Sequence, residues 1–135
     1  MERKIVGVLV DVENNCVHAI SLNYNDEDKN YLDAYYKVLN CNTFDIVRRK
    51  IGNNYYDIYC DDEGLFKETR KPSAITFSGD EIVEVLVGNL FICSCNDNGE
   101  TIGLNDEQLD EILNNVHSLK LSGFKGFRNV LLLSL

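Results

Sequence analysis

From Lys4 to Val12 the chain alternates apolar and other residues, so that Val6, Val8, Val10 and Val12 share one side of an extended segment. Glu13-Asn14-Asn15 then reverses it into Cys16 to Leu22, which predicts a β-hairpin. The period changes after Asn25-Asp26-Glu27-Asp28, a polar cap with negative charge, where Leu32, Tyr35, Tyr36 and Leu39 recur at helical spacing. A first helix is therefore expected from Asp26 to Leu39. Thr43 to Ile51 and Tyr55 to Cys60 read as strands joined through Gly52-Asn53-Asn54, residues that tolerate left-handed backbone angles.

Glu68 to Asp80 holds the one proline, Pro72, with Ser73, Ser78 and Gly79, and reads as mostly loop. Glu81 to Val87 and Asn89 to Ser94 are β-branched and apolar enough for strands, with Gly88 marking a bulge or close approach between them. Asn105 is placed to cap a second helix and Gln108 to reach back to it. Leu109, Ile112, Leu113 and Val116 form its apolar stripe, so this helix is expected to run to about Leu119. The run Val130 to Leu135 is too short for periodicity to assign. Being apolar, it is expected either to complete the core or to pair with a second copy in a homodimer. The pattern predicts one α+β domain over residues 1–135: an antiparallel β-rich sheet or partly open barrel with two helices.

Composition narrows the functional classes. With 135 residues and 44% hydrophobic content the chain has apolar material for one core, and it lacks a run long enough to cross a bilayer or to act as a signal peptide. A cytoplasmic protein without a membrane partner is expected. Five scattered cysteines, an odd number, suit reduced thiols better than a disulfide framework. A net charge of -9 opposes broad nonspecific attachment to nucleic acid.

Against that acidic background the cations are clustered. Arg48-Arg49-Lys50 is one group, Lys67, Arg70 and Lys71 a second, and Lys120, Lys125 and Arg128 a third, in a tail without acids after Glu111. Gly123-Phe124-Lys125-Gly126-Phe127-Arg128 places aromatic rings among cations, a combination that stacks on a base while meeting phosphate. Arg48, Lys50, Arg70, Lys71, Phe124, Phe127 and Arg128 are the candidate ligand-binding residues; packing of the two rings into a glycine-rich turn is the competing reading. No catalytic residue, metal ligand set or cofactor motif is assigned. Nucleotide-binding loops and a nucleophile elbow are missing, and His18 and His117 fall in unrelated elements. Asp61-Asp62-Glu63-Gly64 reads first as a turn, with a metal-dependent enzyme acting on phosphate esters as the alternative.

Tyr56-Asp57-Ile58 leads into Cys60-Asp61-Asp62-Glu63-Gly64, followed by Pro72-Ser73-Ala74 and then Leu86-Val87-Gly88-Asn89 ahead of a strand. In this order the motifs resemble a family of short domains of unknown function common in phages and other mobile elements of Gram-positive bacteria, over roughly Lys4 to Leu104. The resemblance implies a small protein that opposes host defence by binding: a non-enzymatic antagonist that sequesters a nucleotide-like signal or blocks a host defence protein.

Overall fold

The computed structural model describes residues 2–25, 32–63 and 71–135. Along them run β1 (Glu2–Asp11), β2 (Cys16–Asn25), α1 (Asp33–Leu39), β3 (Phe44–Ile51), β4 (Asn54–Asp61), β5 (Pro72–Ser78), β6 (Glu81–Val87), β7 (Leu90–Cys95), β8 (Thr101–Ile102), α2 (Asp106–Leu113), β9 (Val116–Leu119) and β10 (Arg128–Ser134). The strands form a sheet of order β2-β1-β7-β4-β3-β10-β5-β6, with β8 added to β7 and β9 to β10. Its path is open, with β2 and β6 at the two ends.

The predicted hairpins are present. β1 and β2 pair antiparallel from Glu2↔Asn25 to Asp11↔Cys16, and β3 and β4 from Phe44↔Asp61 to Ile51↔Asn54. The expectation of an all-antiparallel sheet is corrected at β10, which runs parallel to β5 from Leu131↔Ala74 to Ser134↔Phe77, so the sheet is mixed. Parallel neighbours need a long connection, and here 49 intervening residues, Gly79 to Phe127, supply it with β6 to β9 and α2.

Both faces of the sheet carry apolar side chains. Val8, Val10 and Val12 of the β1 side join Ile58, Ile92, Leu131 and Leu133 in one cluster, which Ile112 of α2 completes. The opposite face gathers Ile5, Leu22, Tyr59, Phe91 and Cys93 under Tyr35 and Leu39 of α1. There Tyr35 stacks on Tyr59 with ring centroids 4.8 Å apart, while Phe91 meets both rings edge-on. Each helix therefore closes one face.

Three expected boundaries change. The loop predicted around Pro72 contains β5, whose residues Pro72 to Thr76 are all buried; proline at the first strand position costs little, and Ala-Ile-Thr-Phe continues as a strand. The second helix ends at Leu113 rather than Leu119, because β10 takes Val116–Leu119 as an antiparallel neighbour, Arg128↔Leu119 to Leu131↔Val116. Asn115 Nδ2 closes the helix on the Glu111 carbonyl, and its own carbonyl accepts the Leu132 N–H at 2.9 Å. The first helix is described from Asp33; residues 26–31 of its predicted span lie outside the described residues.

The apolar tail is an internal strand. Val130, Leu131 and Leu133 are buried within the chain's own sheet, so these side chains complete the core, one of the two outcomes expected for the tail, while Leu135 is exposed.

Candidate functional site

The turn after β1 is built by amide side chains. Asp11 accepts the Asn14 backbone N–H at 3.3 Å and the Asn14 Nδ2 at 2.7 Å, which also hold its carboxyl below the usual carboxylate range. Asn15 takes a left-handed φ of 50°, a conformation asparagine tolerates better than most residues. Its side chain accepts the Asn129 N–H at 2.8 Å, and its carbonyl accepts Asn129 Nδ2 at 2.7 Å. Asn89 pins the strand side, with Oδ1 accepting the Val12 N–H at 3.0 Å and Nδ2 donating to the Val38 carbonyl of α1 at 2.8 Å.

Three of the seven candidate residues meet this turn. The Arg128 guanidinium donates to the Val12 carbonyl, and Lys71 Nζ pairs with Glu13 at 2.8 Å. Asn15 Nδ2 reaches the Phe127 carbonyl at 3.4 Å, leaving the Phe127 ring two-thirds exposed, at 66%. Lys71 and Arg128 thus converge on consecutive residues, Glu13 and Val12, although 57 positions separate them in the chain. Arg128 Nε is buried without a hydrogen-bond partner among the described residues.

The turn thus gathers an ammonium, a guanidinium and an exposed aromatic residue. The Lys71 and Glu13 side chains are 33% and 61% exposed, and such pairs contribute only about 0–1 kcal/mol. The Lys71–Glu13 pair is therefore weak, and Phe127 is exposed beside the same turn.

A family model described as a domain of unknown function, DUF3846, matches residues 4–117. The chain belongs to that family. No curated protein and no solved structure matches it. Within this DUF3846 chain the matched span holds Lys71 and the β1–β2 turn, while Phe127 and Arg128 lie beyond it.

The remaining candidates sit elsewhere. Arg48 and Lys50 share the face of β3 on which Phe44 packs toward α1. Arg48 lies over the Tyr55 ring, 5.8 Å from its centroid, and its Nη1 donates to Cys95 Sγ at 3.5 Å. Phe124 is half-buried in the 121–124 turn, where its N–H donates to the Leu121 carbonyl at 3.1 Å. Arg70 lies outside the described residues. Asn15 was read only as part of a reversal and Asn89 only as part of a motif, and Asn129, which completes the turn with them, carried no reading from sequence. Each is an ordinary turn or strand-end asparagine until β10 is known to start beside β1.

The acidic stretch is organised as a turn over its described part. Asp61 Oδ1 accepts the Glu63 N–H at 3.0 Å, and Thr43 Oγ1 donates to Asp62 at 2.5 Å. Gly64 lies outside the described residues. Asp61 and Asp62 line a groove of about 240 Å³ with Asp45, Cys60, Glu84 and Leu86. Among the described residues no three His, Cys, Asp or Glu side chains are gathered as ligands of one metal ion. Burial, reinforced by nearby carboxylates, pushes the Cys60 thiol up to about 11 and the Cys93 thiol up to about 12, so neither is a ready nucleophile. Among the described residues no helix is long and apolar enough to cross a membrane.

Proposed function

We propose that this DUF3846 chain is a non-enzymatic binding protein that takes a nucleotide-like anion at the β1–β2 turn, and that it acts in the cytoplasm as a phage-type antagonist of a bacterial defence system by sequestering that signal. The observation that carries the binding reading is the convergence of Lys71, Arg128 and the exposed Phe127 on residues 12–15. Cation, guanidinium and free ring are the three elements that phosphate and base together require. The defence context comes from the order of motifs around Tyr56, Pro72 and Gly88 and rests on resemblance.

A second reading is that the chain blocks a protein effector. It is favoured by β6, the strand at one end of the sheet path, where Ile82 and Val83 are each about half exposed, at 51% and 50%. Terminal strands with apolar side chains are ready for an added strand.

Calorimetric titration with a panel of linear and cyclic nucleotides tests the first reading. Binding is expected for at least one of them, weakening roughly tenfold in Lys71→Glu or Phe127→Ala and falling as salt is raised. The bound compound is expected back chemically intact by mass spectrometry. Turnover in the presence of magnesium or manganese would support the phosphate-ester enzyme instead. Silence across the panel, with capture of a protein that Val83→Lys abolishes, would support the effector reading.

A further inference from the structure

Cys16 and His18 stand two residues apart at the start of β2, and alternation along the strand puts both side chains on one face. The structure closes the gap: Cys16 Sγ lies 3.6 Å from His18 Nδ1, with Cys16 half-buried and His18 exposed. Directly across the hairpin from Cys16 is Asp11, whose carboxylate is held ionised by Asn14 and lies in the electrostatic field of His18. A nucleophile, a base within reach of it and an anion near that base are thus collected on solvent-facing surface.

Cys60, Cys93 and Cys95 are placed differently. Cys60 and Cys93 are buried. Cys95 has a guanidinium nitrogen of Arg48 at 3.5 Å, a group that steadies a thiolate yet accepts no proton. Cys41, in the segment after α1, is half-buried to the same degree as Cys16. Cys16 therefore has an imidazole nitrogen, a proton acceptor, at contact distance beside an exposed His18.

We infer that Cys16 is a site of thiol–disulfide exchange, taking low-molecular-weight disulfides with His18 as its base. His18 accepts the thiol proton, and the Cys16 thiolate attacks one sulfur of the incoming disulfide RS–SR. The Sγ–SR bond forms as the S–S bond breaks. The departing RS⁻ takes up the proton that His18 holds, so the products are the mixed disulfide at Cys16 and one RSH. No further oxidant is consumed, since the disulfide itself is reduced as Cys16 is oxidised.

The position gives the modification a consequence for the chain. Cys16 follows Asn15 directly, and Asn15 holds both the Asn129 backbone and the Phe127 carbonyl. An adduct on Sγ adds bulk beside the turn that fastens β10 to β1.

The inference is independent of which ligand, if any, the turn binds, and its test uses no such ligand. The intact protein is incubated with glutathione disulfide, quenched at intervals, and each cysteine-containing peptide is quantified by mass spectrometry. The adduct is expected first at Cys16, and His18→Gln is expected to slow that site roughly tenfold while leaving the slower rates at Cys41 and Cys95 unchanged. His18 is exposed, so the variant keeps its fold, and unchanged protection of Cys60 and Cys93 verifies this in the same experiment. Equal labelling of Cys16, Cys41 and Cys95, first labelling at Cys95, or a Cys16 rate that His18→Gln leaves untouched would each overturn the inference.

Discussion

Arg49 reaches from β3 to Glu84 of β6, its Nε and Nη2 meeting the two carboxylate oxygens at 3.3 and 3.0 Å. In the strand order β10 and β5 lie between those two strands, so the contact spans part of the sheet rather than a neighbouring pair. Both side chains are largely withdrawn from water, at 19% and 31% exposure, and Thr76 Oγ1 adds a third bond to Glu84 at 3.0 Å.

Arg49→Met is accordingly expected to destabilise the protein by roughly 2 kcal/mol, because Glu84 is left with Thr76 alone. Arg49→Met with Glu84→Gln should lose less than the sum of the two single changes. Urea unfolding of the four proteins gives the coupling energy. Additive effects would mean that the pair does not tie β6 to β3.

Tyr56 and Glu111 set the pH limits of stability near the β3–β4 turn. Tyr56 donates to Glu111 Oε1 at 2.6 Å, Asn54 Nδ2 to the same oxygen at 2.8 Å, and the Asn53 N–H to Oε2 at 3.2 Å. The Tyr56 and Asn54 bonds lead in holding the Glu111 carboxyl below its ordinary value, so its contribution is complete above the ordinary carboxylate range and disappears as pH falls through the lowered folded value. Burial and then Glu111 raise the Tyr56 phenol, so that contribution is complete below the ordinary tyrosine value and diminishes as pH rises above it. Thermal melting across pH is expected to show both limbs, with Glu111→Gln flattening the acid one. An unchanged acid limb in that variant would assign it to other carboxylates.

Gly7 is a packing requirement rather than a turn. A Cβ there would stand 2.4 Å from Phe91 Cζ and 2.6 Å from the Ile92 carbonyl oxygen, and the second of these is backbone that cannot rotate away. Gly7→Ala is expected to cost about 2 kcal/mol, the range of overpacked cores, and to lower the melting midpoint. A midpoint equal to wild type would show that β1 and β7 separate easily.

Removing residues 130–135 is expected to unfold the whole chain, since Val130, Leu131 and Leu133 are buried and β5 loses its parallel neighbour. Circular dichroism together with light scattering checks this. A folded monomer after truncation would place the stability of the sheet elsewhere.

The hairpins were legible because alternation is local: Val8, Val10 and Val12 reveal their face within one strand, and Asn105 with Gln108 reveals a capping box within four residues. What remained hidden depends on partners distant in the chain. Val116 to Leu119 continues a helical stripe on paper, and only the arrival of Arg128 to Leu131 alongside makes it a strand. Pro72 suggested a loop because nothing nearby discloses that β5 begins on it. The cation clusters were visible, yet their division between the β1–β2 turn and the outer face of β3 follows from strand order, which the spacing of lysines and arginines does not encode.

The place of β10 also bears on how the chain is made. β5 and β6 precede β10 in the chain, and their backbone pairing with the rest of the sheet runs through β10, the last of the described strands. A two-stranded hairpin by itself is marginal in water. The β5–β6 pair, with its apolar Ile75, Val85 and Leu86, must therefore wait for some 40 further residues before it can be docked, at about 5–20 residues per second. Nascent chains halted before Arg128 would expose that waiting surface to chaperones, and release of the final strand would be the event that commits the sheet to its native order.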